Sequence, residues 1–332
     1  MIISILTGFG ILMGCALGLI LVLGFIPLPR RNMRSMPSPV TSYDEALARV
    51  DVIKAGEQEI VNRDGKTLLM VHGQKTDRVY VMVHGTTNSP LQWKELGETL
   101  YSRGHNVLIP RIPCHGLLSH HVRELASLQV QDLRAYADHV IDMAVGLGDE
   151  VVVVGISGGG AVASWMAHFR PEVARALLLV PFYGVYGVPD LITPFLARAF
   201  SRIPNLVLDN PLEPRRDWVY RGQSTRGVAA FLLLGQEVIQ AAREGQKPVG
   251  KLIVLMTEKE DTANNRSTEE LVKHWQSAGA APISFTFEDA LDIPHNAVDP
   301  STDREKKKIV YDKMLELLDE GSYSKRNQAS VA

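Results

Sequence analysis

The sequence predicts an α/β protein: a mostly parallel central sheet flanked by helices, with a helical insertion and an apolar N-terminal helix. Three observations predict it. Short β-branched runs alternate with helical spacings of apolar residues from Val79 to Leu318, the signature of βαβ units. Val151-Val152-Val153-Val154 suits a strand buried on both faces. Phe182 to Gly250 interrupts the rhythm with prolines and two helical stretches, as an insertion between two strands does.

The elements follow in order. The first 26 residues carry no charged side chain, and roughly 20 apolar residues cross a bilayer as a helix. Residues 1–28 therefore read as a transmembrane anchor. The run is too long for a cleaved signal peptide and lacks its basic start. Arg30, Arg31 and Arg34 follow directly, and an excess of Lys/Arg marks the cytoplasmic side. The expectation is a single-pass membrane protein with its folded domain in the cytoplasm; the alternative is a periplasmic or extracellular domain.

Residues 29–56 read as a linker with a short helix at Tyr43 to Val50. Residues 57–181 and 251–320 read as the core. It opens on two strands, Gln58 to Asn62 and Lys66 to His72, joined at Asp64-Gly65. Further strands are expected at Val79 to Val83, Asn106 to Ile109, Val151 to Val154, Ala176 to Val180, Leu252 to Met256 and Ile283 to Phe287. Ser89-Pro90 starts a helix, with serine at the cap and proline at the first helical position. Val130 to Val145, Ser157 to Phe169, Ser267 to Ser277 and Thr302 to Leu318 are also helical. Residues 182–250, with helices at Leu191 to Ser201 and Gly227 to Arg243, form a cap or lid. Leaving the carboxyl end of a strand, it sits over the crevice where open α/β sheets bind ligands. Residues 321–332 form a flexible tail.

Composition narrows the function. A chain of 332 residues, 45% apolar, builds a sizeable core, and a net charge of -2 offers no basic field for nucleic acid. Cys15 and Cys114 give neither a disulfide framework nor zinc-ligand spacing. No cofactor or metal is called for.

The chemistry centres on Gly155-Ile156-Ser157-Gly158-Gly159, set between a strand and a helix. The glycines permit the sharp turn that exposes a serine hydroxyl at the strand end. The helix start supplies free N–H groups and positive dipole for a developing oxyanion. The Gly158 amide is one expected oxyanion donor. The Thr86 amide, in His84-Gly85-Thr86-Thr87 after an earlier strand, is the other. The His84 side chain reads as a prop for that loop.

A serine nucleophile needs a base. Downstream of Ser157 stand His168, His274 and His295. His168 lies along the nucleophile's own helix and His274 is mid-helix. His295 lies in a loop past the last strand and is the expected base. The acid is expected in Thr257-Glu258-Lys259-Glu260-Asp261-Thr262. Asp261 is preferred because it lies far enough along for the loop to turn back, with Glu260 and then Glu258 as the other candidates. Cys114 reads as a packed or partly exposed loop thiol.

From Val79 to Leu318 the sequence resembles the α/β-hydrolase superfamily, closest to its carboxylesterase and monoacylglycerol-lipase branch. The resemblance rests on Val83-His84-Gly85-Thr86, Pro110-Arg111-Ile112-Pro113-Cys114-His115-Gly116, the Ser157 motif, Asp261 and His295. Cys114 departs from it, standing where glycine is usual. The resemblance implies the α/β-hydrolase fold, a Ser157–Asp261–His295 triad, an oxyanion hole of the Thr86 and Gly158 amides, and a cap at 182–250. The expected activity is hydrolysis of carboxylic esters through an acyl-enzyme on Ser157, with acylglycerols, lysophospholipids or other apolar acyl esters as substrates. The partners are then that substrate and, through the N-terminal helix, a membrane. An aminopeptidase, thioesterase or acyltransferase on the same fold is the alternative chemistry. A non-catalytic membrane-tethered binding protein is the alternative of another class.

Overall fold

The computed structural model describes residues 18, 20, 22–26, 35–211 and 214–319. Most of the expected anchor, with Cys15 and Arg30, Arg31 and Arg34, lies outside them, as does the tail. No helix among the described residues is long and apolar enough to cross a membrane.

Helix α1 (Tyr43–Gly56) starts at Ser42, whose hydroxyl accepts the Glu45 N–H at 3.2 Å. It buries Ala46 and Val50 against the core, so the second half of the expected linker is part of the folded body. The expected hairpin at 58–72 does not form. Asn62 folds the chain into a 3-10 turn at Arg63–Gly65, its side chain accepting the Gly65 N–H at 2.7 Å. Its own N–H goes to Gly116 O at 2.9 Å. Local capping and a partner across the fold outcompete the hairpin.

Seven strands then build one sheet: β1 (Leu68–Met70), β2 (Thr76–Val83), β3 (Asn106–Ile109), β4 (Gly148–Ile156), β5 (Val173–Leu179), β8 (Lys251–Thr257) and β9 (Ile283–Phe287). Their order is β1-β3-β2-β4-β5-β8-β9. Only β1 is antiparallel, pairing Leu69 with Leu108. Valines 151–154 are fully packed because β4 is central and covered on both faces. Val79, Val81, Val83, Val151 and Val153 point to one layer, and Tyr80, Met82, Val152 and Val154 to the other.

The first layer holds α1, α3 (Val130–Leu147), α4 (Gly158–Phe169), α6 (Thr225–Arg243) and α7 (Asn265–Ser277). The second holds α2 (Lys94–Ser102) and α8 (Arg304–Asp319). Ser89 does not cap α2. A 3-10 turn at Pro90–Trp93 intervenes, and the Ser89 hydroxyl donates to Asp64 O at 3.0 Å.

Between β5 and β8 lie α5 (Thr193–Phe200), the short pair β6 (Val207–Leu208) and β7 (Gln223–Ser224), and then α6. The sequence reading places α6 in the cap. In the structure α6 buries Phe231, Leu232, Leu234 and Val238 in the core beside α4, so it is the crossover that the parallel β5–β8 pair requires. Phe182 and Tyr183 still belong to the core, so the segment outside these helices and the sheet is 184–224, with Ala197 of α5 packed against the core.

The chain leaves β2 toward β3 on one side and returns from β3 to β4 on the other. Such a reversal opens a crevice at the carboxyl ends of the strands, where the loops carrying Thr86 and Ser157 lie.

Candidate active site

Ser157 occupies the turn between β4 and α4 with φ 56 and ψ -122, a region that L-residues rarely adopt. Backbone hydrogen bonds hold it there. Its N–H donates to Leu179 O at 3.0 Å, and its carbonyl accepts the Phe182 and Ala161 N–H groups at 2.9 and 3.1 Å. Val180, at the end of β5 beside it, also has positive φ (40), and for a β-branched residue that is strain stored at the site. The turn needs glycine at 159 because a Cβ there would lie 2.2 Å from Val83 O.

The loop after β2 lies against this turn. A Cβ on Gly158 would meet Thr86 Cγ2 at 2.4 Å, so Thr86 and the start of α4 are neighbours. Side chains fix the loop's peptides. The Gly85 N–H donates to Gln92 Oε1 at 2.9 Å. His84 Nε2 accepts the Ile112 N–H at 3.1 Å, which puts its proton on Nδ1, 3.0 Å from Gly85 O. In a trans peptide the carbonyl and the following N–H point in opposite directions, so this bond also aims the Thr86 N–H. Among the described residues no acceptor takes that N–H. Burial holds His84 well below the ordinary histidine range, in its neutral form. The expected prop role of His84 matches this geometry.

His295 and its partner sit past β9 and β8, both nearly inaccessible. The expected partner Asp261 is exposed, and its Oδ1 accepts from the hydroxyl of Thr262 at 2.9 Å. Glu260 takes the place instead: its carboxylate lies 2.7 and 2.9 Å from His295 Nδ1. The reason is reach. One residue nearer the strand, the extra methylene of glutamate spans the gap that an aspartate would need a longer loop to close. Glu260 Oε1 also accepts the Thr262 and Ala263 N–H groups at 2.8 and 2.7 Å. Burial pushes the Glu260 carboxyl up, but its bonds to His295 and to these amides outweigh burial and hold it below the ordinary range. Glu258 is turned away, accepting the Asp289 N–H at 2.8 Å.

Two further ties were invisible in the sequence. Thr257 Oγ1 donates to Ile293 O at 2.9 Å, fixing the His295 loop to the end of β8. Asn88 Nδ2 donates to Asp299 at 2.8 Å, fixing the same loop to the Thr86 loop. Of the other downstream histidines, His168 is buried with neither ring nitrogen hydrogen-bonded among the described residues, and His274 lies within α7. Among the described residues no cluster of His, Cys, Asp and Glu is arranged to hold a metal ion. Cys114 has φ 67, which explains why glycine is usual at its place in the motif. Its thiol is free and pushed up by burial.

Residues 80–292 match the alpha/beta hydrolase family. The chain belongs to that family. No curated protein matches the sequence. Solved structures share the alpha/beta hydrolase fold at low identity. One, from work on the metagenome-derived lipolytic enzymes LipS and LipT, is 17% identical, with a TM-score of 0.59 over 78% of this chain and 99% of that one. The monoacylglycerol lipase of Paleococcus ferrophilus is 17% identical, with a TM-score of 0.57 over 79% and 98%. A soluble variant of the monoglyceride lipase of Saccharomyces cerevisiae, solved with a substrate analogue, is 14% identical, with a TM-score of 0.56 over 79% and 94%. In this alpha/beta hydrolase the strained serine, the Thr86 loop and the buried histidine–glutamate pair all lie at the carboxyl ends of sheet strands.

Proposed function

We propose that this alpha/beta hydrolase is a serine esterase acting on apolar acyl esters, with Ser157 as nucleophile, His295 as base and Glu260 as the acid that orients it. The observation that carries the reading is the Ser157 turn, strained and packed against a loop in which, among the described residues, no acceptor takes the Thr86 N–H.

The chemistry follows from the parts. The Glu260 carboxylate holds the proton of His295 on Nδ1, so Nε2 is the basic nitrogen. Nε2 takes the Ser157 hydroxyl proton as Oγ adds to the ester carbonyl. The carbonyl oxygen gains the electron pair and is held by the Thr86 and Gly158 N–H groups. Collapse expels the alcohol, protonated by His295, and leaves an acyl-serine. Water repeats the sequence and releases the acid.

Two observations support an apolar acyl substrate at a lipid surface. The outer segment exposes Tyr186, Leu191, Leu206 and Leu208. The end of the N-terminal apolar run rests on it: Phe25 packs on Phe195, and Arg202 donates to Ile26 O at 2.6 Å. The lipolytic and monoacylglycerol-lipase names of the fold neighbours agree with this substrate class. A fluorophosphonate probe should label the wild type and not Ser157→Ala. Rates on p-nitrophenyl esters should rise from acetyl to medium chains. Absence of labelling in folded wild-type protein refutes the catalytic reading, and a preference for acetyl esters refutes the apolar one. A carboxyl-terminal reporter should read the cytoplasmic side.

A further inference from the structure

Tyr220 belongs to the outer segment, yet it is 4% exposed and bonded to two loops of the core. Its N–H donates to Thr87 O at 2.8 Å. Its hydroxyl donates to Cys114 O and accepts the Leu117 N–H, both at 3.1 Å. Between these loops stands His115, fully buried, with Nε2 2.7 Å from Thr86 O and Nδ1 2.9 Å from Pro113 O. Burial lowers its pKa to about 4, so the ring is neutral and has one proton for two carbonyls. The shorter contact, to Thr86, takes it. Tyr220 and Phe231 lie about its ring at centroid distances of 6.2 and 6.1 Å. A Cβ on Gly158 would meet Phe231 at 2.9 Å, so this cluster also abuts the second oxyanion amide.

Every carbonyl from Gly85 to Thr87 is therefore tied by a neighbour: His84, His115 and Tyr220 in turn. The last tie comes from outside the core. We infer that Tyr220 is a positioning residue that makes the seating of the outer segment a condition for correct placement of the loop carrying the Thr86 amide, with His115, which holds the Thr86 carbonyl, as the intermediary. This rests on the esterase reading, since it concerns the amide assigned there to the oxyanion. Outright loss of one oxyanion donor slows acyl transfer about 10²–10³-fold. Tyr220→Phe keeps the backbone bond to Thr87 and frees only the 114–117 loop, so a loss of about 10-fold is expected.

The test compares Tyr220→Phe with the wild type on p-nitrophenyl butyrate and with a trifluoromethyl ketone. In the adduct Ser157 Oγ bonds the ketone carbon, the former carbonyl oxygen becomes an oxyanion, and the serine proton passes to His295. The expected result is a kcat lowered about 10-fold with KM within about 2-fold, and ketone inhibition weakened by a matching factor. The pH–rate profile should keep its shape. A folded Tyr220→Phe with wild-type kcat and inhibition overturns the inference, as does a change in KM alone. If Tyr220→Phe does not fold, His115→Gln and His115→Leu decide. Glutamine retains a donor near the Nε2 position and should preserve kcat, whereas leucine should lower it. Equal activity of the two overturns the coupling. Wild-type protein inert to esters and to fluorophosphonate removes the esterase reading, and this inference with it. Active wild type with indifferent variants removes this inference alone.

Discussion

Glu260→Gln is the sharpest perturbation of the candidate triad, because neighbouring atoms dictate how the new amide must sit. Glu260 Oε1 accepts two backbone N–H groups, from Thr262 and Ala263, at 2.8 and 2.7 Å. A glutamine must keep its carbonyl oxygen there, since its NH2 would confront two donors. Its NH2 then takes the Oε2 position, which makes the hydrogen bond with His295 Nδ1 at 2.9 Å, although the Oε1 position also lies 2.7 Å from that nitrogen. It presents a donor where the carboxylate presented an acceptor, so His295 moves its proton to Nε2. Nε2 is the atom that must accept the Ser157 proton. The variant is thus a tautomer error with almost no change of shape. Analogous errors cost about 10⁴ in kcat, and the expected loss is about 10³–10⁴, or roughly 4–5.5 kcal/mol of transition-state stabilisation. Asp261→Asn, altering an exposed side chain, should stay within about 2-fold. Both variants would be assayed on p-nitrophenyl butyrate after active-site counting with a fluorophosphonate, with melting temperatures as the fold control. A Glu260→Gln enzyme within 10-fold of wild type, or an Asp261→Asn enzyme as damaged as Glu260→Gln is expected to be, refutes the assignment.

Three further outcomes follow from buried groups and strained backbone. Arg170 is fully buried, bonded to Asp138, Asp142 and Glu172 at 3.1, 2.7 and 2.8 Å, and Asp138 and Asp142 in turn accept the Met36 and Ser38 N–H groups. Arg170→Met strands buried carboxylates and should cost about 3–5 kcal/mol, read by thermal melting. His168 is held at about 4 by burial, below its ordinary value near 6.5, so the folded state binds fewer protons than the unfolded state between those values. Its share of stability is present above about pH 6.5 and is lost as pH falls toward 4, at most about 3 kcal/mol. His168→Leu should flatten the fall of melting temperature with pH in that window. Cys114→Gly should melt no lower than Cys114→Ala, because only alanine keeps a Cβ at φ 67. A clear advantage for alanine in a melting experiment would contradict the strain.

The parts of the fold legible in the sequence were those written in local periodicity and spacing. The valines of β4, the glycines around Ser157 and the loop position of His295 each carry their meaning within a few residues. The parts that were not legible depend on partners far along the chain. The supposed hairpin at 58–72 fails because Asn62 finds Gly116. The helix α6 reads as part of the cap because its apolar face says that it is buried, not against what. The Asp261 preference fails on a matter of reach, because Glu260 and Asp261 differ by one methylene and one position. Tyr220 has no motif around it, and its importance lies in atoms of Thr87, Cys114 and Leu117 that the sequence does not place beside it.

These long-range contacts also bear on where the enzyme stops working in acid. The loop that aims the Thr86 amide is held by His84 and His115, both fully buried and both held neutral by burial. Protonation of His84 puts a second N–H on Nε2, against the Ile112 N–H that this nitrogen accepts. An added proton on His115 has no such donor clash, since both of its nitrogens face carbonyls, but it carries a charge into a dry interior. With His168, three neutral buried histidines oppose the same acid shift. Each has a folded-state pKa below that of the unfolded chain, so each draws the equilibrium toward unfolding as pH falls. Acid inactivation in this molecule therefore includes loss of the scaffold that holds the Thr86 loop. Activity lost in this way returns after an acid pulse at the rate of refolding rather than at the speed of mixing, and recovery at the speed of mixing would refute the scaffold's part in it.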